Sequence, residues 1–404
     1  MAIPKLRFKE FNDDWSSHKL GNLATFSKGK GISKADISED GENLCIRYGE
    51  LYTTYGQVIN QVVSKTNISK ADSVLSKAGD VIIPASGETQ IDIATASCVL
   101  QSDIILSGDL NVLNHAENGE WLAYYLSSAK KLEIAQLAQG NSVVHLYSSQ
   151  LKNLKVNRPA KEEQTKIASF LSAVDEKINQ LTQKHALLSQ YKQGMMQKLF
   201  SQQIHFKADD GSEFGAWKHC KLKDVLISYR LGGNYSNAEM VTSYPLIKMG
   251  NLGRGSFNLD KLEYIPEDQI IDPEDLIKKN DLFFNTRNTL DLVGKVALWR
   301  GELPIAYYNS NLLRLDFENN IFMNYLFNEQ KTLEKLKAIA SGTTSVAAIY
   351  TKDLLKINLE IPCLEEQNKI ASFLSSIDQK IEVVAQQIEQ AKTWKKGLLQ
   401  QMFV

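Results

Sequence analysis

Residues 159–200, PAKEEQTKIASFLSAVDEKINQLTQKHALLSQYKQGMMQKLF, return as residues 362–403, PCLEEQNKIASFLSSIDQKIEVVAQQIEQAKTWKKGLLQQMF, with nearly half of the positions identical and no gap. Each copy starts after a proline (Pro159, Pro362) with an acidic first turn (Glu162-Glu163, Glu365-Glu366), which suits the positive end of a helix. In the first copy Ile167, Val174, Leu181, Leu188 and Met195 recur every seventh residue, and Leu171, Ile178, His185 and Lys192 form a second row. The second copy gives Ile370, Ile377, Val384, Ala391 and Leu398, with Leu374, Ile381, Ile388, Lys395 and Met402 beside them. Two apolar rows over four heptads predict a coiled coil. A helix of ~39 residues is ~58 Å long, too long for one ordinary domain to bury, so the natural partner of each copy is the other, packed antiparallel. The polar seam residues His185, Lys192 and Lys395 either fix register or mark where the helices splay.

The repeat extends outward from the helices. Trp15, Lys19 and Leu20 match Trp217, Lys221 and Leu222; residues 46–51, IRYGEL, match 247–252, IKMGNL; and 79–83, GDVII, match 280–284, NDLFF. Late in each half, Gly140-Asn141-Ser142 precedes Tyr147, and Gly342-Thr343-Thr344 precedes Tyr350. The order is therefore a globular unit at 1–158, a helix at 159–203, a second globular unit at 204–361 and a last helix at 362–404. Short β-rich runs (81–84, 96–100 and 104–106; 244–249, 282–286, 294–299 and 312–317) and one closing helix per half (about 120–139 and 322–340) predict an α/β or α+β unit in each. The globular halves match weakly and the helices strongly, as expected of two unlike readers on like supports, related by a pseudo-twofold axis.

The totals restrict the chemistry. The chain has 404 residues, 43% hydrophobic and 23% charged, with a formal net charge of −1. Any nucleic-acid contact must then come from local patches. Four cysteines lie far apart without a CxxC pair, which argues against a zinc site or a disulfide frame. The opening residues show no apolar signal region and no run is long enough for a membrane span, so a cytoplasmic location is expected. There is no phosphate-binding GxxxxGK[ST] loop, no HExxH, no Gly-x-Ser-x-Gly and neither base-flipping signature of amino-methyltransferases. No catalytic set, metal site or bound cofactor is expected.

Recognition material remains. In the first unit it is Lys28 and Lys30 in a glycine-bearing loop, Arg47 and Tyr48, and Ser86, Thr89 and Gln90. In the second it is Lys248, Asn251 and Arg254, then Arg287, Asn288 and Thr289. Arginine and lysine bond guanine edges and phosphates, and asparagine and glutamine bond adenine. For each of these residues the alternative is a solvated turn, and Arg47, Arg254 and Arg287 are the foremost candidates for base contact. Five of the eight arginines lie between Arg230 and Arg314, and the long helices have none, which fits supports that do not read DNA.

On the paired Pro-x-x-Glu-Glu-Gln-x-Lys-Ile-Ala-Ser-Phe-Leu blocks at 159–171 and 362–374, the whole chain resembles the specificity subunits of type I restriction-modification systems. Trp15 and Trp217, the Asp80 and Asp281 strand entries, and Gly294-Lys295-Val296-Ala297 support the resemblance. It implies two target recognition domains, each reading half of a split sequence in double-stranded DNA. The helices would set the spacer and dock two modification subunits that carry S-adenosylmethionine and methylate adenine, and restriction subunits would join them. Half-site sequences and single base contacts do not carry over. Two other readings stay open: a stand-alone DNA methyltransferase or nuclease, and a coiled-coil spacer that binds protein only.

Overall fold

The computed structural model describes residues 4–140 and 142–403. By contacts the chain divides into two units, one running up to Gln183 together with the residues from Ala385 on, the other Lys184–Val384. The division cuts through both long helices, so each unit owns the head of one and the tail of the other.

In the first unit a five-stranded sheet runs in the order Ala24–Lys28, Leu110–His115, Asp80–Pro84, Ser97–Val99, Val58–Ile59. Its middle strand is buried along its whole length, and Val81, Ile82 and Ile83 are fully enclosed. That strand is entered through Gly79 at φ +92°, after which Asp80 Oδ2 accepts the Lys77 N–H at 2.8 Å. Ser16–Lys19 pairs antiparallel with Lys155–Arg158, closing the start of the unit onto its end just before the long helix. The helix expected at 120–139 is two: α1 (Gly119–Ser128) and α2 (Lys131–Leu137). Lys130 at φ −103°, ψ 0° leaves the helical path, so Ile134 turns into the core while Leu132 is 69% exposed. The first long helix, α3 (Lys161–Phe200), then begins.

Its first turns explain the Pro-x-x-Glu-Glu-Gln block. Glu163 is buried and its carboxylate accepts from Trp15 Nε1 at 3.4 Å and from Arg7 Nε and Nη2 at 2.8 Å each. Gln164 donates to the Pro159 carbonyl at 3.1 Å and accepts the Asn118 N–H at 2.9 Å. Ile167, Ala168, Leu171 and Val174 join one core with Trp121, Tyr125, Leu398, Met402 and Phe403. The head of α3 thus packs against its own globular domain as well as against the tail of the chain's last helix, which is antiparallel to it. Phe170 meets Trp394 edge-on at 6.0 Å.

The second unit repeats the plan. Leu226–Leu231, Leu312–Phe317, Leu282–Asn285 and Val296–Leu298 form a four-stranded sheet in the same order as the first four strands of the other unit. Asn280, at φ +70°, enters the middle strand and Asp281 Oδ2 accepts the Lys278 N–H at 2.9 Å. The strand expected over 244–249 is only Pro245–Ile247, because Asn251 Oδ1 captures the Lys248 N–H at 2.9 Å and curls the next residues into a 3-10 turn. The closing helix again breaks, into α4 (Asn320–Phe327) and α5 (Gln330–Ala338). Asn328 bonds back to the Asn324 carbonyl at 2.7 Å, and Glu329 caps the second piece through the Thr332 N–H at 2.6 Å. The last helix is α6 (Leu364–Met402). Its head shares a core with the tail of α3: Ile370, Leu374 and Ile377 pack with Leu199, Phe200, Trp217 and Phe322. Trp217 Nε1 donates to Glu366 Oε2 at 3.1 Å, as Trp15 does to Glu163.

Of the seam positions, Leu181 and Val384 are buried, and Ile178, Leu188, Ile381 and Ile388 are half-buried. No helix among the described residues is long and apolar enough to cross a membrane.

Candidate nucleic-acid interface

In the first unit the Lys28-Gly29-Lys30 loop is pinned by its backbone rather than loose. Gly29 N–H donates to the Leu110 carbonyl at 3.0 Å and Lys30 N–H to the Leu106 carbonyl at 2.9 Å. A Cβ on Gly29 would lie 1.9 Å from the Ser107 oxygen, so only glycine fits. Lys28 and Lys30 are exposed on that fixed loop, and neither forms an ion pair among the described residues. Both are free to meet phosphate.

Several other candidates are occupied. Arg47 is tied to Glu50, through its N–H at 2.8 Å and its Nη2 at 3.3 Å, and that buried carboxylate also takes the Ser64 hydroxyl. Tyr48 is half-buried against an apolar cluster. Ser86 is 7% exposed and lies 3.3 Å from His145 Nδ1, so it faces a neighbour rather than a base. Thr89 caps the turn Gln90–Ile93, accepting the Asp92 N–H at 3.1 Å and donating to Asp92 Oδ2 at 2.6 Å, while Gln90 is exposed. In the second unit Asn251 is buried and spends both donors on the Asn258 and Lys261 carbonyls, at 3.0 and 2.9 Å. It holds a turn and cannot read adenine. Lys248 pairs with Glu263 at 2.6 Å and contacts Asn237. Arg254 is exposed, donates to the Asp291 carbonyl at 3.1 Å and lines a cleft of about 640 Å³.

Arg287 is exposed, and its guanidinium makes no ion pair among the described residues. Its backbone pairs with Ala348 in a small sheet, Arg287–Asn288, Ala347–Ala348 and Ser341–Gly342. Asn288 accepts the Thr289 N–H at 2.9 Å, which orders the turn beside it. The first unit builds the same corner from Ser86–Gly87 paired with Val144–His145. Gly140 and Gly342 sit at φ +125° and +127°, and a Cβ on either would lie 2.1 or 2.3 Å from the carbonyl of Val143 or Val346. Asn141, part of the sequence mark at 140–142, lies outside the described residues.

Four side chains at these corners were not among the sequence candidates. Tyr147 and Tyr350 are 54% and 52% exposed, each just ahead of a short helix (Ser148–Leu151, Thr351–Leu354). His145 stacks on Tyr147 with centroids 6.4 Å apart, and Lys352 lies 5.8 Å from the Tyr350 ring. The signal was present in the repeat of Gly-x-x followed by tyrosine. An exposed ring with a cation beside it, as Tyr350 has in Lys352, suits a polyanion with stacked bases. Burial pushes the Cys98 thiol up to about 12 and the Cys45 thiol up to about 11, so neither is a ready nucleophile. Among the described residues no group of His, Cys, Asp or Glu is placed to hold a metal ion.

A family model for the type I restriction modification DNA specificity domain matches the chain twice, over residues 12–189 and 215–393. The type I restriction enzyme MjaVIII specificity subunit of Methanocaldococcus jannaschii is 26% identical over 97% of this chain and 94% of its own. The putative type I restriction enzyme MjaX specificity subunit of the same organism is 29% identical over 69% of this chain and 66% of its own. Among solved structures, a type I restriction-modification system S subunit from M. genitalium superposes with a TM-score of 0.63 at 16% identity, covering 99% of both chains, which shows a shared fold.

Proposed function

Because the chain belongs to the type I restriction modification DNA specificity family, matched in two copies, we propose that it is the non-catalytic subunit that gives such a complex its DNA sequence. Each recognition domain reads one half of a bipartite target in double-stranded DNA. The long helices α3 and α6 set the spacer and dock two modification subunits, which carry S-adenosylmethionine and methylate adenine; restriction subunits complete the assembly, and it works in the cytoplasm. One observation carries this reading above the rest. The same order of four strands is built twice, with the same glycine-and-tyrosine corner, yet the exposed side chains presented there differ: His145 in one unit, Arg287 in the other. Equal scaffolds with unequal tips fit two readers of unequal half-sites. With a net charge of −1 the chain alone supplies little phosphate affinity, so the partner subunits contribute much of the grip.

The test is exchange. Residues 1–158 are replaced by the corresponding segment of a relative with a known target, the chain is assembled with its modification subunits, and methylated adenines are mapped. One half-site should change while the other half-site and the spacer stay. Methyl transfer by the isolated chain, or a change in both halves, would contradict the assignment.

A further inference from the structure

The heptad rows leave two lysines unexplained, and the structure gives them partners. In the first unit Lys395 Nζ lies 2.6 Å from Asp175 Oδ1 and 5.4 Å from the centroid of Tyr124, and the Tyr124 hydroxyl donates to Asp175 Oδ2 at 2.7 Å. In the second, Lys192 Nζ lies 2.6 Å from Asp378 Oδ1 and 5.3 Å from the Tyr325 ring, and the Tyr325 hydroxyl donates to Asp378 Oδ2 at 2.7 Å. A serine one turn before each aspartate, Ser172 or Ser375, is within 3.5 or 3.2 Å of the same hydroxyl. Every triad takes its tyrosine from the recognition domain, on α1 or α4, and one charge from each long helix. The helices exchange roles: α3 gives the aspartate in one unit and the lysine in the other. The outer contacts differ: Gln57 accepts from Lys395 at 3.0 Å and Ser172 donates to Glu120 Oε2 at 2.6 Å in one, and Arg300 donates to Asp378 at 2.9 Å in the other.

These charges are largely shielded, with side-chain exposures of 16% and 29% in one triad and 26% and 11% in the other. Burial alone would push the Asp378 carboxyl up, yet Lys192, the Tyr325 hydroxyl and Arg300 hold it below the usual carboxylate range. Apolar heptad rows by themselves tolerate a slide of one heptad, because each row then meets equivalent residues. A lysine and an aspartate at single positions do not, since a slide of even one turn, ~5.4 Å, leaves both shielded charges unpaired. The tyrosine adds what a two-helix pin lacks, a tie to the recognition domain.

We propose that the Tyr124–Asp175–Lys395 and Tyr325–Asp378–Lys192 triads are register pins: positioning residues that seat each recognition domain on both helices at once and so restrict the complex to a single spacer between half-sites. The inference rests on the chain being a bipartite DNA reader.

The test uses the full complex with modification subunits, acting on a DNA library in which the two half-sites are separated by every short spacer. The wild-type complex must first methylate a bipartite motif of one spacer; a complex with no such motif overturns the bipartite reading, and the pins with it. With Lys192→Met and Lys395→Met together, both half-sites should persist while methylation at spacers one base pair longer or shorter rises by about tenfold, the scale of a lost charge-assisted hydrogen bond. A spacer profile identical to wild type in an assembled complex overturns the pins. If the methionine chain does not assemble, Tyr124→Phe with Tyr325→Phe keeps rings and ion pairs and removes only the hydroxyls. It should broaden the spacer in the same direction, and an unchanged profile again overturns the claim. The exchange Asp175→Lys with Lys395→Asp should restore a single spacer where Lys395→Met alone has broadened it, and failure to restore it counts against register pinning.

Discussion

Glu163 and Glu366 occupy the same place in the two copies of the long helix, and both take an indole N–H, yet their surroundings differ. Glu163 also holds Arg7, whereas burial raises the Glu366 carboxyl above its usual range, only partly offset by Trp217. A raised folded-state pKa favours the protonated form. The contribution of Glu366 to stability is therefore complete below about pH 4.5 and is lost as pH rises through the folded value. Glu366→Gln keeps an acceptor for Trp217 and removes the charge, so it should raise Tm at pH 7 and leave Tm at pH 4 unchanged. Glu163→Gln should instead lower stability at pH 7 by about 1.5–3 kcal/mol, because Arg7 loses its charged acceptor. Thermal unfolding of the two variants at both pH values checks the pair; equal shifts would contradict it. The same contrast explains why single residues were hard to read in the sequence. Asn251, Ser86 and Thr89 sit beside glycines as contact residues do, but they cap and brace their own turns. A polar side chain at a glycine turn has the same signature whether its partner is a backbone N–H or a base. Arg287 and the two loop lysines are exposed, and none of them forms an ion pair among the described residues.

Among the elements, the long helices were legible because a seven-residue rhythm survives any local context, and the breaks between α1 and α2 and between α4 and α5 were not. Those breaks depend on Lys130 leaving the helical path and on Asn328 bonding to its own helix, neither of which alters hydrophobic periodicity. The sharing of the seam was also hidden: Leu171 and Leu374 serve the helix pair and a recognition-domain core together. Leu374 is fully buried, so Leu374→Ala should destabilise its unit by about 2–5 kcal/mol. Leu187, on the outer side of α3 and 64% exposed, gives the control, with Leu187→Ala changing stability by less than ~0.5 kcal/mol. Urea denaturation followed by tryptophan fluorescence separates the two, and a loss for Leu187→Ala as large as for Leu374→Ala would argue against the packing described.

Across the whole molecule the repeat is the explanation of function. Two units with the same order of four strands, the same tryptophan–glutamate clasp and the same polar triad carry different side chains at their exposed corners. What repeats does what both halves share, namely support and position; what differs is free to read. The most direct test of that division is a matched insertion of one heptad into each long helix, after Gln183 and after Val384, followed by mapping of methylated adenines. Seven residues add ~10.5 Å of helix, about three base pairs of B-DNA. The account predicts a spacer longer by about three base pairs with both half-sites unchanged. An assembled, active complex that keeps the original spacer would contradict it.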